Sequence, residues 1–140
     1  MKKSIQFLAA ATIAATSAMA APALAERVLT GTEAHQMLAG QKFSFSCVDG
    51  TRGEASYTHA GVATASYRLP TAGDDATELK DQGRVRTTSE AICIRWNLLN
   101  SGAEGCYKMT ERKPGQYRIA EGQIRWCDLT LQGAGDRAER

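Results

Sequence analysis

Alternation with a period of two, interrupted by turn residues, governs this chain from Phe43 to Leu131. Phe43-Ser44-Phe45-Ser46-Cys47 changes face at every residue, and Asp49-Gly50 then marks a turn. Glu54 to Thr58 resumes, His59-Ala60-Gly61 turns, and Val62 to Arg68 follows. After a polar loop from Pro70 to Asp75 come Gln82–Thr87, Ala91–Asn97 and Gly105–Thr110. Gln116–Ala120 and Gln123–Leu131, joined through Glu121-Gly122, make a last hairpin. Such segments put alternate side chains on opposite faces, and turn signals roughly every 8–12 residues mark an antiparallel sandwich or barrel. The fold class predicted is therefore mainly β, with about eight strands in a small antiparallel barrel or sandwich.

The segment before the alternation has another period. Thr30-Gly31-Thr32-Glu33 followed by Ala34, Met37 and Leu38 predicts one short amphipathic helix over about residues 32–39. Thr30 or Thr32 supplies an N-cap and Gly40 a stop. Its narrow apolar stripe suits a helix that lies against the sheet or plugs one end of it.

Four cysteines sharpen the topology: Cys47, Cys93, Cys106 and Cys127. Four allow three pairings. Ile92, Ile94 and Trp96 share one strand face, as do Tyr107 and Met109 on the next. Folded as antiparallel neighbours about the Asn100-Ser101-Gly102 turn, these strands let Cys93 meet Cys106 on the opposite face. Facing positions satisfy the short Cα separation a disulfide needs. Cys47, in phase with Phe43 and Phe45, then pairs with Cys127, in phase with Leu129 and Leu131. That bridge ties the first predicted strand to the last and favours a closed sheet.

The first 25 residues read as a secretory signal. Met1-Lys2-Lys3 is a basic start, Ser4 to Ala25 carries no charge, and Ala23 and Ala25 provide the small residues for cleavage. The uncharged run is long enough for a membrane anchor. Its many alanines, Thr12, Thr16, Ser17 and Pro22 favour cleavage near Ala25 and no lasting membrane insertion. The expected organisation is residues 1–25 as signal, 26–131 as a single β domain and 132–140 as a flexible tail, in the periplasm or secreted. Cysteines in an exported chain form disulfides. The whole chain has 17 Lys+Arg and 15 Asp+Glu, and loss of Lys2 and Lys3 leaves 15 against 15. With no net charge and no basic run, the footprint of a nucleic-acid binder is missing.

Candidate chemistry is sparse. No cysteine pair has Cys-x-x-Cys spacing, and His35 and His59 lack a ligand-spaced partner, so no metal or other cofactor is expected. Asp74 and Asp75 are adjacent loop acids that solvate themselves, and no nucleophile–base pair or phosphate loop appears. No catalytic residue is therefore assigned. Trp96 and Trp126 are candidates to line a ligand pocket, against the simpler reading that aromatics on a sheet face are core.

Two resemblances add to this reading. Gly83-Arg84-Val85-Arg86, Ala91-Ile92-Cys93-Ile94-Arg95-Trp96 and Glu104-Gly105-Cys106-Tyr107 resemble a family of small exported proteobacterial proteins with no assigned activity. Members carry a Gly-x-Trp strand, a Cys-x-x-Trp strand and a later Cys-Tyr or Cys-Phe; here Val85 stands where tryptophan is frequent. That resemblance implies a lipocalin-like β fold. Phe45-Ser46-Cys47-Val48-Asp49-Gly50-Thr51 resembles the opening strand of periplasmic inhibitors of c-type lysozyme. Their inhibitory loop has a Ser-x-Gly-x-x-Tyr pattern, approximated here from Ser101 to Tyr107 with serine directly before glycine. It implies partner contacts from the turn over residues 97–105, which carries Ser101, with Tyr107 just beyond it as a further candidate contact. The leading expectation is a non-enzymatic barrel that binds a small apolar ligand or an envelope protein. A c-type lysozyme inhibitor is the alternative, and a periplasmic enzyme the second alternative.

Overall fold

A computed structural model describes residues 26–70 and 77–132. The expected signal over residues 1–25, Asp74 and Asp75, and the expected tail from residue 133 lie outside the described residues. In chain order the elements are β1 (Arg27–Leu29), α1 (Gly31–Leu38), β2 (Gln41–Cys47), β3 (Arg52–Tyr57) and β4 (Val62–Arg68). They continue with β5 (Leu79–Thr87), β6 (Ile92–Trp96), a 3-10 turn (Leu99–Gly102), β7 (Glu104–Lys113), β8 (Gln116–Glu121) and β9 (Arg125–Leu131).

Strands β2 to β9 form a closed, eight-stranded antiparallel barrel. Neighbours in sequence pair in space from β2 through β9, and β2 then pairs with β9 to complete the ring. Closure follows from the two-residue period, which keeps one face of every strand turned inward while hairpin-length turns keep the pairings local. Strand β1 was not expected from the sequence. It is three residues long and pairs with β7 through Leu29↔Met109, beyond the point where β6 leaves that edge at Ile92↔Tyr107. Three residues carry too little periodicity to register as a strand without the partner beside them.

Both predicted disulfides form between residues directly opposite in the ladder. Cys47 pairs with Cys127 and Cys93 with Cys106, at Cα separations of 3.9 and 4.0 Å. Cys47 and Cys127 border the interior, whereas Cys93 and Cys106 alternate with the inward residues and lie on the outer wall.

Helix α1 begins one residue earlier than expected, with Thr30 as its cap. Thr30 Oγ1 accepts the Glu33 N–H at 3.2 Å while the Glu33 carboxylate accepts the Thr30 N–H at 2.9 Å, a reciprocal capping box. Gly40, at φ 75°, turns the chain out of the helix into β2. The helix packs against β1, β2, β5, β6 and β7 and buries Ala34 and Leu38. Its first residue has to be glycine, since a Cβ on Gly31 would lie 1.9 Å from the Thr88 carbonyl oxygen and 2.7 Å from that of Ala91. The helix thus seats on the β5–β6 turn and forms the floor of the barrel, with Leu29, Ile92 and Met109 buried in the same cluster.

Candidate functional site: an apolar cavity and its mouth

Inward positions divide into large and small. Strand β2 presents Phe43 and Phe45, and β6 presents Ile92, Ile94 and Trp96. Across from them β3 and β4 offer Ala55, Ala63 and Ala65, and β5 offers Gly83, which pairs with Trp96. The small residues do not reach the centre, so the large ones line a space rather than fill it. The resulting cavity has a volume of about 600 Å³, within the span usual for small-molecule sites. Leu38 of the helix, Ile119 and Leu129 complete a wall that is predominantly apolar.

Few polar groups reach this space, and the deepest is engaged. The Tyr57 hydroxyl lies 2.7 Å from His35 Nδ1, with the two rings edge to face at 5.3 Å. Burial pushes the Tyr57 hydroxyl above the usual phenol range. It therefore stays neutral at physiological pH and can meet either tautomer of the imidazole.

The cavity opens at the end opposite the helix. Val48, Asp49 and Thr51 of the β2–β3 turn, Leu99 and Asn100 of the β6–β7 connection, and Ile124 and Arg125 at the β8–β9 turn surround the mouth. Asp49 is occupied within its own turn, where Oδ1 accepts the Thr51 N–H at 2.8 Å. Arg125 Nη1 donates to Asn100 Oδ1 at 3.3 Å, joining the β8–β9 hairpin to the β6–β7 connection. The link falls where the wall is weakest. The β7–β8 ladder starts only at Lys108↔Ala120, so the first residues of β7 pair with β6 alone. Tyr107 stands at this gap. Burial raises its hydroxyl pKa first, Glu121 adds to the rise and Arg125 opposes it.

A buried carboxylate holds the mouth loop. Asp81, on an inward position of β5, accepts the N–H groups of Leu98 at 2.9 Å and Leu99 at 2.8 Å through Oδ2. Its Oδ1 takes the Gln82 N–H at 2.7 Å. Burial alone would raise this carboxyl, but the backbone donors of Leu99, Leu98, Gln82 and Asn97 together bring it below the usual range. Its lone pairs are spent on the backbone, so Asp81 fixes the loop. The loop it holds is strained at its tip, where Asn100 and Ser101 both adopt left-handed φ, at 54° and 53°.

The four sequence-derived contact candidates separate. Trp96 and Tyr107 line the cavity wall. Trp126 borders the mouth, yet its ring carries the Arg118 guanidinium at 3.8 Å, and Arg118 in turn pairs with Asp128 on the outer wall at 2.7 Å. Ser101 is exposed at the loop tip and does not line the cavity. His59 is exposed in the β3–β4 turn, beside Gly40. A cluster of Cys93, Glu104 and Cys106 has ligand-like proximity, but both sulfurs are bonded to each other and Arg86 Nε holds the Glu104 carboxylate at 2.9 Å. Sequence reasoning passed over the residues that create the space. Ala55, Ala63 and Ala65 at inward positions, with Gly83 beside them, were the available signal of an unfilled barrel. It also passed over Asp81, a lone acid on the inward phase of β5, and Arg125.

A second depression, of about 660 Å³, lies on the outer wall of β2–β5. Polar side chains outnumber apolar ones in its lining, and Ser56 Oγ and Thr64 Oγ1 hydrogen-bond there at 2.6 Å. It lacks the apolar wall of the interior.

Fold and site together define a small disulfide-bridged β-barrel with an apolar cavity open at one end. Comparison with protein-family models, curated proteins and solved structures finds no match to this chain.

Proposed function

We propose that this is an exported, non-enzymatic barrel protein that takes a small apolar ligand into its interior. The observation that carries the reading is the apolar cavity of about 600 Å³ beneath an open mouth. A barrel meant only to be stable gains by filling that volume, because unfilled space forfeits packing energy. The two disulfides suit the oxidising compartment to which the N-terminal segment would send the chain. Among the described residues no helix is long and apolar enough to cross a membrane.

The test is titration of the protein, purified from an oxidising compartment, with N-phenyl-1-naphthylamine, a neutral apolar dye that brightens on leaving water. Saturable one-to-one binding is expected, together with a change in Trp96 emission. Ala65→Phe, which sends a ring into the cavity, should weaken binding at least about tenfold, or ~1.4 kcal/mol. Absence of saturable binding by the folded protein would sink the proposal.

A second reading rests on the β6–β7 connection. Its tip, with Ser101 exposed and Asn100 and Ser101 in left-handed backbone, is held out by Asp81, and strain of this kind gathers at contact sites. That favours a protein partner, with a c-type lysozyme the specific candidate. Slowed lysis of a cell-wall suspension, lost on Ser101→Arg, would support it. Unchanged lysis at a large excess of the protein would dismiss it.

A further inference from the structure

The mouth has a chemistry of its own. Two charged side chains line the cavity, Asp49 and Arg125, and they are not equivalent. Asp49 caps its own turn through the Thr51 N–H. Arg125 has only the neutral amide of Asn100 as a hydrogen-bond partner, and no carboxylate forms an ion pair with it among the described residues. Glu121 stands opposite Arg125 in the hairpin register but does not line the cavity. A guanidinium with one donor in use keeps its remaining N–H groups for a planar or tetrahedral anion.

Around this cation lies an apolar collar. Ile124 and Val48 border the cavity while 83 % and 50 % exposed, and Leu99 borders it with them. Such side chains gain by contact with a chain that passes between them into the wall of Phe43, Phe45 and Trp96. From the floor outward the site is therefore apolar, then charged at the rim, where Asp49 is bound into its own turn and Arg125 offers its guanidinium.

We propose that the ligand is a single-chain amphiphile with an anionic head, its tail in the cavity and its carboxylate or phosphate on Arg125 beside Asn100. This rests on the cavity reading above and adds the ligand's class and orientation.

Displacement of N-phenyl-1-naphthylamine, confirmed by calorimetry, tests it with three probes of one chain length: dodecanoate, dodecyl phosphate and dodecan-1-ol, each kept below its micelle concentration. The expected result is that one or both anions bind about tenfold more tightly than the alcohol, the gain typical of a hydrogen bond to a charged group. Which anion is tighter distinguishes a fatty acid from a phosphate-headed lipid as the source of the head. Arg125→Gln should remove that preference, with a circular dichroism spectrum and a urea midpoint like those of the wild type showing that the variant is folded. Equal binding of all three probes, or a preference that survives Arg125→Gln, overturns the assignment of the head while the cavity reading stands. Failure of the dye and every probe to bind the folded protein overturns both.

Discussion

The two ends of the barrel treat apolar residues in opposite ways. At the helix end Leu29, Leu38, Ile92 and Met109 are at most 2 % exposed, although Val28 on the flanking strand β1 is 63 % exposed, and Gly31 admits the helix to within contact of the β5–β6 turn. At the mouth Val48, Leu98 and Ile124 remain at least half exposed, and Leu69 and Leu79 are exposed on the strand ends between them. Folding gains nothing from apolar surface left in water, so the first end is accounted for by stability alone and the second is not. The same contrast holds for polar groups. At the floor the Tyr57 hydroxyl and His35 satisfy each other, whereas at the rim Arg125 has a single neutral partner among the described residues. Stability thus accounts for one end of this small sheet, and the proposed recognition would use the other.

The contrast can be sharpened first at its covalent boundary. Replacing Cys47 and Cys127 together by alanine removes a bridge spanning 80 residues and should cost up to about 4–5 kcal/mol in urea unfolding, against about 3 for the 13-residue bridge of Cys93 and Cys106. A larger loss from the short bridge would mean that the mouth edge is not held by Cys47–Cys127. Next comes the floor. Leu38→Ala should lower stability by about 2–5 kcal/mol, because the helix cannot collapse fully onto the space left behind. A loss well below that would make the helix a loose lid rather than a floor.

The mouth loop should respond less. Asp81→Ala strands the amides of Leu98 and Leu99 and should cost about 1–3 kcal/mol, with faster hydrogen exchange confined to residues 97–103. Because the folded-state carboxyl is depressed, this stabilisation is complete above the unfolded-state pKa of aspartate. It is lost as pH falls through the lower folded-state value. Comparing wild type with Asp81→Ala between pH 7 and pH 2 should show the difference shrink on acidification. A constant difference would mean that Asp81 acts through packing alone.

The smallest stability effect belongs to the rim. Ile124→Ser should change unfolding free energy by no more than about 0.5 kcal/mol, as for other exposed sites, while weakening dye binding measurably. A loss comparable to Leu38→Ala would abolish the distinction between the two ends.

Much of the fold was legible because it rests on local rules. Phe43-Ser44-Phe45-Ser46-Cys47 announces a strand and its inward face without outside help, and Thr30 with Glu33 announces a helix start. The pairing of Cys93 with Cys106 followed from strand phase and turn position. Less was legible where a residue's meaning depends on its neighbours across the sheet. Arg27–Leu29 is a strand only because β7 offers an edge, and Trp126 faces Arg118 outside while Trp96 faces Gly83 inside. Strand phase separates those two tryptophans, since Trp126 falls one residue out of step with Cys127 and Leu129, but it does not name the partner each one meets.

By itself, then, the sequence determined the period, the turns and the facing of the cysteines, since each depends on residues a few positions apart. Tertiary structure alone decided that Ala55, Ala63, Ala65 and Gly83 would stand together and leave a cavity, that Asp81 would meet the amides of a loop 17 residues away, and that Arg125 would reach the rim beside Asn100. Those outcomes depend on the order in which strands close the ring, and closure brings together side chains that no local window contains.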